Sequence, residues 1–228
     1  MGDGNHSLAS AKAHWENVKA ALDRHRQEGR KLSAGQPACP EHACGGVPHH
    51  PARYALVEVV NVHDDGLVFE PIHRILFGTD RETVLEQLKN AARRVELDAE
   101  TRLFESREAA ERAVCRRDGR HNLPFILEGT YGLLTVNNPA CGLEAGTLQA
   151  VLDELAEGNA GTEIDYIHGD EAVTGLGSKK GSMGFFLPVM SKYDLFKTVV
   201  SDGVLPRKTF SMGEAEEKRY YLECRRIR

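Results

Sequence analysis

Apolar and polar positions alternate with two different periods along this chain of 228 residues, and the switches between them set the expected elements. Leu8, Ala11, Trp15, Val18, Leu22 and His25 recur at three- and four-residue steps, which predicts an amphipathic helix. Asn5 or Ser7 reads as its N-cap and Gly29 as its C′ residue. From Arg53 the period shortens, and the run Tyr54 to Val62 predicts a buried strand. Asp64-Asp65-Gly66 marks a turn, with Leu67 to Glu70 returning as a hairpin partner that Ile72 to Phe77 extends. Thr79-Asp80-Arg81-Glu82 has capping-box spacing and opens a helix through Val84, Leu85, Leu88 and Ala92. A charged helix follows over Ser106 to Arg117.

The second half repeats this texture. Phe125 to Leu127 and Tyr131 to Val136 flank Glu128-Gly129-Thr130 as a second hairpin. Leu148, Val151, Leu152 and Leu155 mark a helix that stops near Gly158. Short strands are expected at Ile164 to Ile167 and Met183 to Leu187. Ser191, with Asp194 completing the capping box, opens a helix that Gly203 ends, and Arg219 to Cys224 reads as a terminal strand. Hairpins mixed with helices give an α+β class: a mixed, largely antiparallel sheet with flanking helices. The domain reading is a helix over 1–29, a Gly/Pro-rich loop over 30–51 and an α+β domain over 52–228.

Composition narrows the class. With 41% hydrophobic and 28% charged residues, the chain can bury a core. A net charge of -5 argues against nonspecific nucleic-acid binding. No run approaches a membrane span, and the N-terminus lacks the layout of a secretory signal. Five scattered cysteines, an odd number, fit a reducing cytoplasm better than a disulfide framework.

Four clusters carry candidate chemistry. The turn Asp3-Gly4-Asn5-His6-Ser7 stands at a helix start, where free N–H groups and the helix dipole suit an anion. Its plainer reading is a polar cap. In Glu70-Pro71-Ile72-His73-Arg74, the His–Arg pair suits an anionic ligand or is a surface pair beside a turn. Arg207, Lys208, Thr209 and Ser211 suit a phosphoryl group or form a solvated basic loop. Cys39, His42 and Cys44, with His49 and His50 beyond, have soft-ligand chemistry, but their irregular spacing favours a loop over a zinc site. Gly177-Ser178-Lys179-Lys180-Gly181-Ser182 does not match a phosphate-loop spacing.

The segment Asp3 to Lys12 resembles the Asp-Gly-x-His motif of the family catalogued as domain of unknown function 1015. The blocks His50 to Glu58 with Glu70 to Arg74, and Leu195 to Val199 with Asp202 to Arg219, are similar to that family as well. Its turn is similar to that of the ParB/sulfiredoxin-like superfamily, which includes free-serine kinases and partition proteins. The resemblance implies phosphate contact at Gly4, Asn5, His6 and Ser7, and makes Asp3 the candidate for metal or substrate-hydroxyl contact. Asp3 and His6 are then the catalytic candidates, and His73, Arg74, Arg207, Lys208, Thr209 and Ser211 the further ligand-binding ones. It implies ATP or ADP with Mg²⁺ as cofactor, and a small-molecule kinase acting on serine or a related hydroxyl compound. The rival expectations are a noncatalytic ParB-like regulatory or partner-binding module, and a structural portion that dimerises through a sheet edge. Because family members place a strand and a larger region before this motif, the sequence is expected to be the C-terminal portion of such a protein.

Overall fold

A computed structural model describes residues 5–32, 50–55, 57, 59–114 and 119–213. The chain divides into two compact units, at Asn61 and Val62.

In the first unit the expected helix forms as α1 (Asn5–Leu32). Ala11, Trp15, Val18 and Leu22 are half-buried, as their spacing requires, while His25 is exposed. Two readings of its ends are corrected. Asn5 and Ser7 lie inside the helix rather than capping it, and Gly29 lies inside too, because the helix continues to Leu32. The tracts holding Cys39, His42 and Cys44, and the terminal strand expected over 219–224, lie outside the described residues.

The described residues of the run 54–62 form no strand. Tyr54, Val57 and Val60 are exposed, and Val59 is 92% exposed. A strand needs a neighbour to satisfy its backbone, so a strand-like composition alone does not make one.

The strand that follows, β1 (Phe69–Phe77), is the axis of the second unit. It is followed by α2 (Val84–Arg94), β2 (Ala99–Phe104), α3 (Arg107–Arg112), β3 (His121–Leu127), β4 (Thr130–Val136) and α4 (Glu144–Gly158). Then come β5 (Glu163–His168), α5 (Asp170–Gly177), β6 (Ser182–Phe185), α6 (Leu195–Asp202) and β7 (Phe210–Met212). The strands form one open sheet in the order β2-β4-β3-β6-β1-β5. Every pairing is antiparallel, with β7 joined to the first three residues of β1. The α+β reading with a largely antiparallel sheet is thus what forms. Leu67 to Glu70 does not pair back on 54–62; Phe69 and Glu70 instead begin β1 and face Met212 and Ser211.

β1 is buried or half-buried along its whole length because both faces of the sheet are covered. On one face, Leu76 packs with Val84 and Leu88 of α2 and Leu148, Val151, Leu152 and Leu155 of α4. On the other, Ile75, Ile126, Val173 and Phe186 form a smaller cluster under α5. The β3–β4 hairpin turns on Glu128 and Gly129, both with φ > 0, the geometry that matches the twist of paired strands. Ser106 caps α3, which ends at Arg112 rather than Arg117. Thr79 does not cap α2; the Asp80 carboxylate accepts from the Glu82 amide at 3.2 Å and the Thr83 hydroxyl at 3.0 Å.

Candidate functional site

Successive residues of a strand point to opposite faces, and β1 uses this to separate His73 from Arg74. His73 shares a face with Ile75 and meets Phe186 edge-on, 5.9 Å between ring centres. Arg74 shares a face with Leu76 and reaches Gln149 of α4. The pair that reads as one anion site is therefore two sites.

On the α4 face, Arg74 is fully buried. Its Nε donates to Gln149 Oε1 at 3.1 Å. Nη1 donates to the Ile72 and His73 carbonyls, and Nη2 to those of Arg207 at 3.2 Å and Lys208 at 3.0 Å. The guanidinium also stacks on Tyr166, 4.6 Å from the ring centre. Burial lowers it to about 10, so it stays charged at neutral pH. The arginine fork has five N–H donors, and each of these acceptors belongs to the protein. Arg74 thus draws the 207–208 turn onto the sheet, where Lys208 holds a positive φ of 57°. Arg207 itself pairs with Asp153 at 3.1 Å, and the Thr209 hydroxyl donates to the Pro206 carbonyl at 2.6 Å. Ser211 is buried opposite Glu70, its hydroxyl without a partner among the described residues.

On the α5 face lies a cavity of about 650 Å³, lined by His73, Arg107, Glu111, Asn122, Asp170 and Phe186 among others. His73 is 1% exposed. Its Nδ1 accepts the Leu187 amide proton at 3.0 Å, so the neutral ring must carry its proton on Nε2. Nε2 stands 2.9 Å from Asp170 Oδ1. That contact is close but off the N–H direction, and Nε2 has no aligned acceptor. The short distance makes it an electrostatic pair; the angle denies it the strength of a straight hydrogen bond. Burial pushes the His73 pKa down, against the raising effect of Asp170.

Asp170 is the first residue of α5, set by Gly169 at φ 82°. Burial works to raise its carboxyl, but the hydrogen bond and charge of Arg107, helped by the nearby His73 ring, outweigh it and hold the pKa below its ordinary value. Arg107, at the start of α3, donates to Asp170 Oδ2 and, at 2.7 Å, to Glu111 Oε1. Its guanidinium carbon lies 4.5 Å from the Phe186 ring centre. Burial works against its charge, yet Asp170 and Glu111 raise its pKa above the ordinary value. A fixed sequence of polar groups results: the Leu187 amide, the His73 ring, the Asp170 carboxylate, the Arg107 guanidinium and the Glu111 carboxylate. It can orient a polar ligand. His73 is poorly placed to take a proton, because Nδ1 is occupied by a donor.

Of the sequence-expected residues, His73 lines this cavity, whereas Arg74, Arg207, Lys208 and Thr209 meet on the other side of the sheet. Asp3 and Gly4 lie outside the described residues, as do the side chains of Asn5, His6 and Ser7. Among the described residues no cluster of three metal-ligating side chains forms, and no helix is long and apolar enough to cross a membrane. Asp170, Arg107 and Glu111 were not singled out by the sequence. The available signal was an acid directly after Gly169 at the end of β5, but Gly175 and Gly177 mask the helical period there.

The second unit is an open antiparallel α+β sheet with a polar cavity beneath one helix. The chain belongs to the family described as protein of unknown function DUF1015, whose model matches residues 1–155. No curated protein matches the sequence. Among solved structures, it is similar to a conserved hypothetical protein from Pyrococcus furiosus, with 19% identity and a TM-score of 0.49, covering 68% of this chain and 60% of that one. It is similar also to a mutant free serine kinase in complex with ADP, with 19% identity and a TM-score of 0.48, covering 68% of this chain and 57% of that one. The chain thus spans about 60% of the length of these structures.

Proposed function

We propose that this chain is the small-molecule-binding part of a phosphate- or nucleotide-using protein, of the small-molecule kinase type. The observation that carries the binding role is the cavity at His73. A buried imidazole fixed in one tautomer faces an ionised, half-exposed carboxylate in a space of metabolite size. Such preorganised polar groups against an apolar wall are what a ligand pocket requires.

The phosphate role rests on sequence. Gly4, Asn5, His6 and Ser7 are the residues that the family-like turn offers to a phosphate at the head of a helix. Asp3 carries the acid that would face a substrate hydroxyl or Mg²⁺, and His6 is the second catalytic candidate. ATP or ADP with Mg²⁺ is the expected cofactor. Arg207, Lys208 and Thr209 are a second candidate phosphate cluster, whereas the donors of Arg74 are engaged within the protein.

Isothermal titration with ATP and ADP in the presence of Mg²⁺ tests the reading. Saturable binding is expected, lost in the double variant Asp3→Asn/His6→Ala. Absence of binding, or equal binding by the double variant, would overturn the nucleotide role.

A further inference from the structure

We infer that the ligand of the His73 cavity is a neutral polyhydroxy compound that donates a hydroxyl proton to the Asp170 carboxylate. This rests on the cavity being the ligand site, as proposed above.

The argument starts from what Asp170 has left to offer. Its side chain is 48% exposed, while its partner His73 is buried beneath it. An ionised carboxylate offers about four lone-pair sites. Oδ1 faces His73 and Oδ2 takes Arg107, so both oxygens are held in place with acceptor capacity remaining. An ionised carboxylate only accepts, so the ligand must present an O–H or N–H group.

Charge then narrows the choice to neutral groups. The Arg107 guanidinium already balances Asp170, and it is itself bracketed by Glu111. An ammonium ion at Asp170 would sit against that guanidinium and pay like-charge repulsion. An anion would have to displace one of the two carboxylates that hold Arg107, while the cavity's second cation, Arg120, faces Glu100 and shares the lining with Glu144. A neutral hydroxyl pays neither cost.

The unaligned Nε2–H of His73 supports the same class independently. It is a buried donor without a straight acceptor, next to the cavity. Leaving such a group unmade is costly. A hydroxyl can both donate and accept. It can give its proton to Asp170 and, when that half-exposed carboxylate swings aside, take the proton of His73. Neither an ammonium nor a carboxylate can do both. His73 and Arg107 are then positioning residues for Asp170. The apolar side of the cavity, Phe186 and Leu187, suits the C–H faces of such a compound.

The test is titration of the full chain, labelled with ¹⁵N, with glycerol, D-glucose and myo-inositol. Ethanolamine and inorganic phosphate serve as the charged probes. Saturable shifts of the His73 ring nitrogens and the Leu187 amide are expected with at least one polyol. In Asp170→Asn the polyol affinity is expected to fall about tenfold, equivalent to roughly 1.4 kcal/mol. Retained dispersion of the spectrum shows that this variant folds. Should it unfold, the wild-type titrations decide alone.

Shifts produced only by ethanolamine or phosphate would overturn the hydroxyl assignment and leave the cavity standing as a ligand site. Equal polyol binding by Asp170→Asn would overturn the role of Asp170. No shift with any probe would count against the cavity itself. A failed ADP titration alongside polyol binding would sink only the nucleotide reading.

Discussion

Replacing Arg74 by methionine removes a guanidinium from a site with no solvent access and takes the donor from the acceptors around it: Gln149 Oε1, which keeps only the Tyr166 hydroxyl at 3.4 Å, the buried Ile72 carbonyl and the part-buried carbonyls of Arg207 and Lys208. Each buried group left unpaired costs about 1–3 kcal/mol, offset in part because the charge no longer needs desolvating. A net loss of roughly 2–4 kcal/mol is expected in urea denaturation, with faster hydrogen exchange at the Thr209 amide. An Arg74→Met protein as stable as the wild type would mean that the 207–208 turn is held by something else. His73 differs in its readout. Its folded pKa lies below its ordinary value of 6.5 because burial disfavours the cation. Below about 6.5 the unfolded chain takes up a proton that the folded protein refuses, so stability falls as the pH drops below that point. His121, buried against Thr147 and lowered by that burial as well, adds to the same slope. Denaturation midpoints measured from pH 7.5 to 5.5 should therefore decline, and less steeply in His73→Gln. A flat profile in the wild type would contradict the neutral, amide-bonded imidazole.

At the scale of elements, α5 depends on one close approach. A Cβ built on Gly177 would stand 2.5 Å from the Ile126 side chain and 3.1 Å from the Gly184 amide nitrogen. Gly177→Val must push the helix off the sheet, and overpacking of this kind costs about 1–3 kcal/mol. Because α5 carries Asp170 at its other end, the same change should also disturb the cavity. Melting temperature and the Leu187 amide shift read the two effects together. An unchanged shift in a destabilised variant would show that the N-terminal end of α5 is held independently. The sheet and its larger core were legible: β3 and β4 from the Glu128-Gly129 turn, α2 and α4 from their apolar spacing. Around the cavity, the strand of His73 and the helix of Arg107 were legible, but α5 was not, and neither was the β2 edge strand away from it. The helical period of α5 is broken by Gly175 and Gly177, and the β2 edge strand alternates too weakly to register, with Arg102 and Leu103 both exposed. Conversely, 54–62 has a strand's composition, and composition alone cannot tell whether a partner edge is free.

For the molecule as a whole, the sheet has two covered faces of different character. The α2/α4 face is filled by the main core and sealed at Arg74. The α5 face has a small apolar cluster and leaves room for the cavity. Sequence adjacency of His73 and Arg74 pointed to one anion site; the two-residue repeat of a strand divides them, and only His73 faces open space. The most direct test of this division is amide chemical-shift mapping of the full chain during titration with the neutral polyols. The shifts are expected to cluster at His73, Arg107, Asp170 and Leu187. A cluster at Arg74, Gln149, Tyr166 and Lys208 instead, with the α5 face silent, would contradict the account.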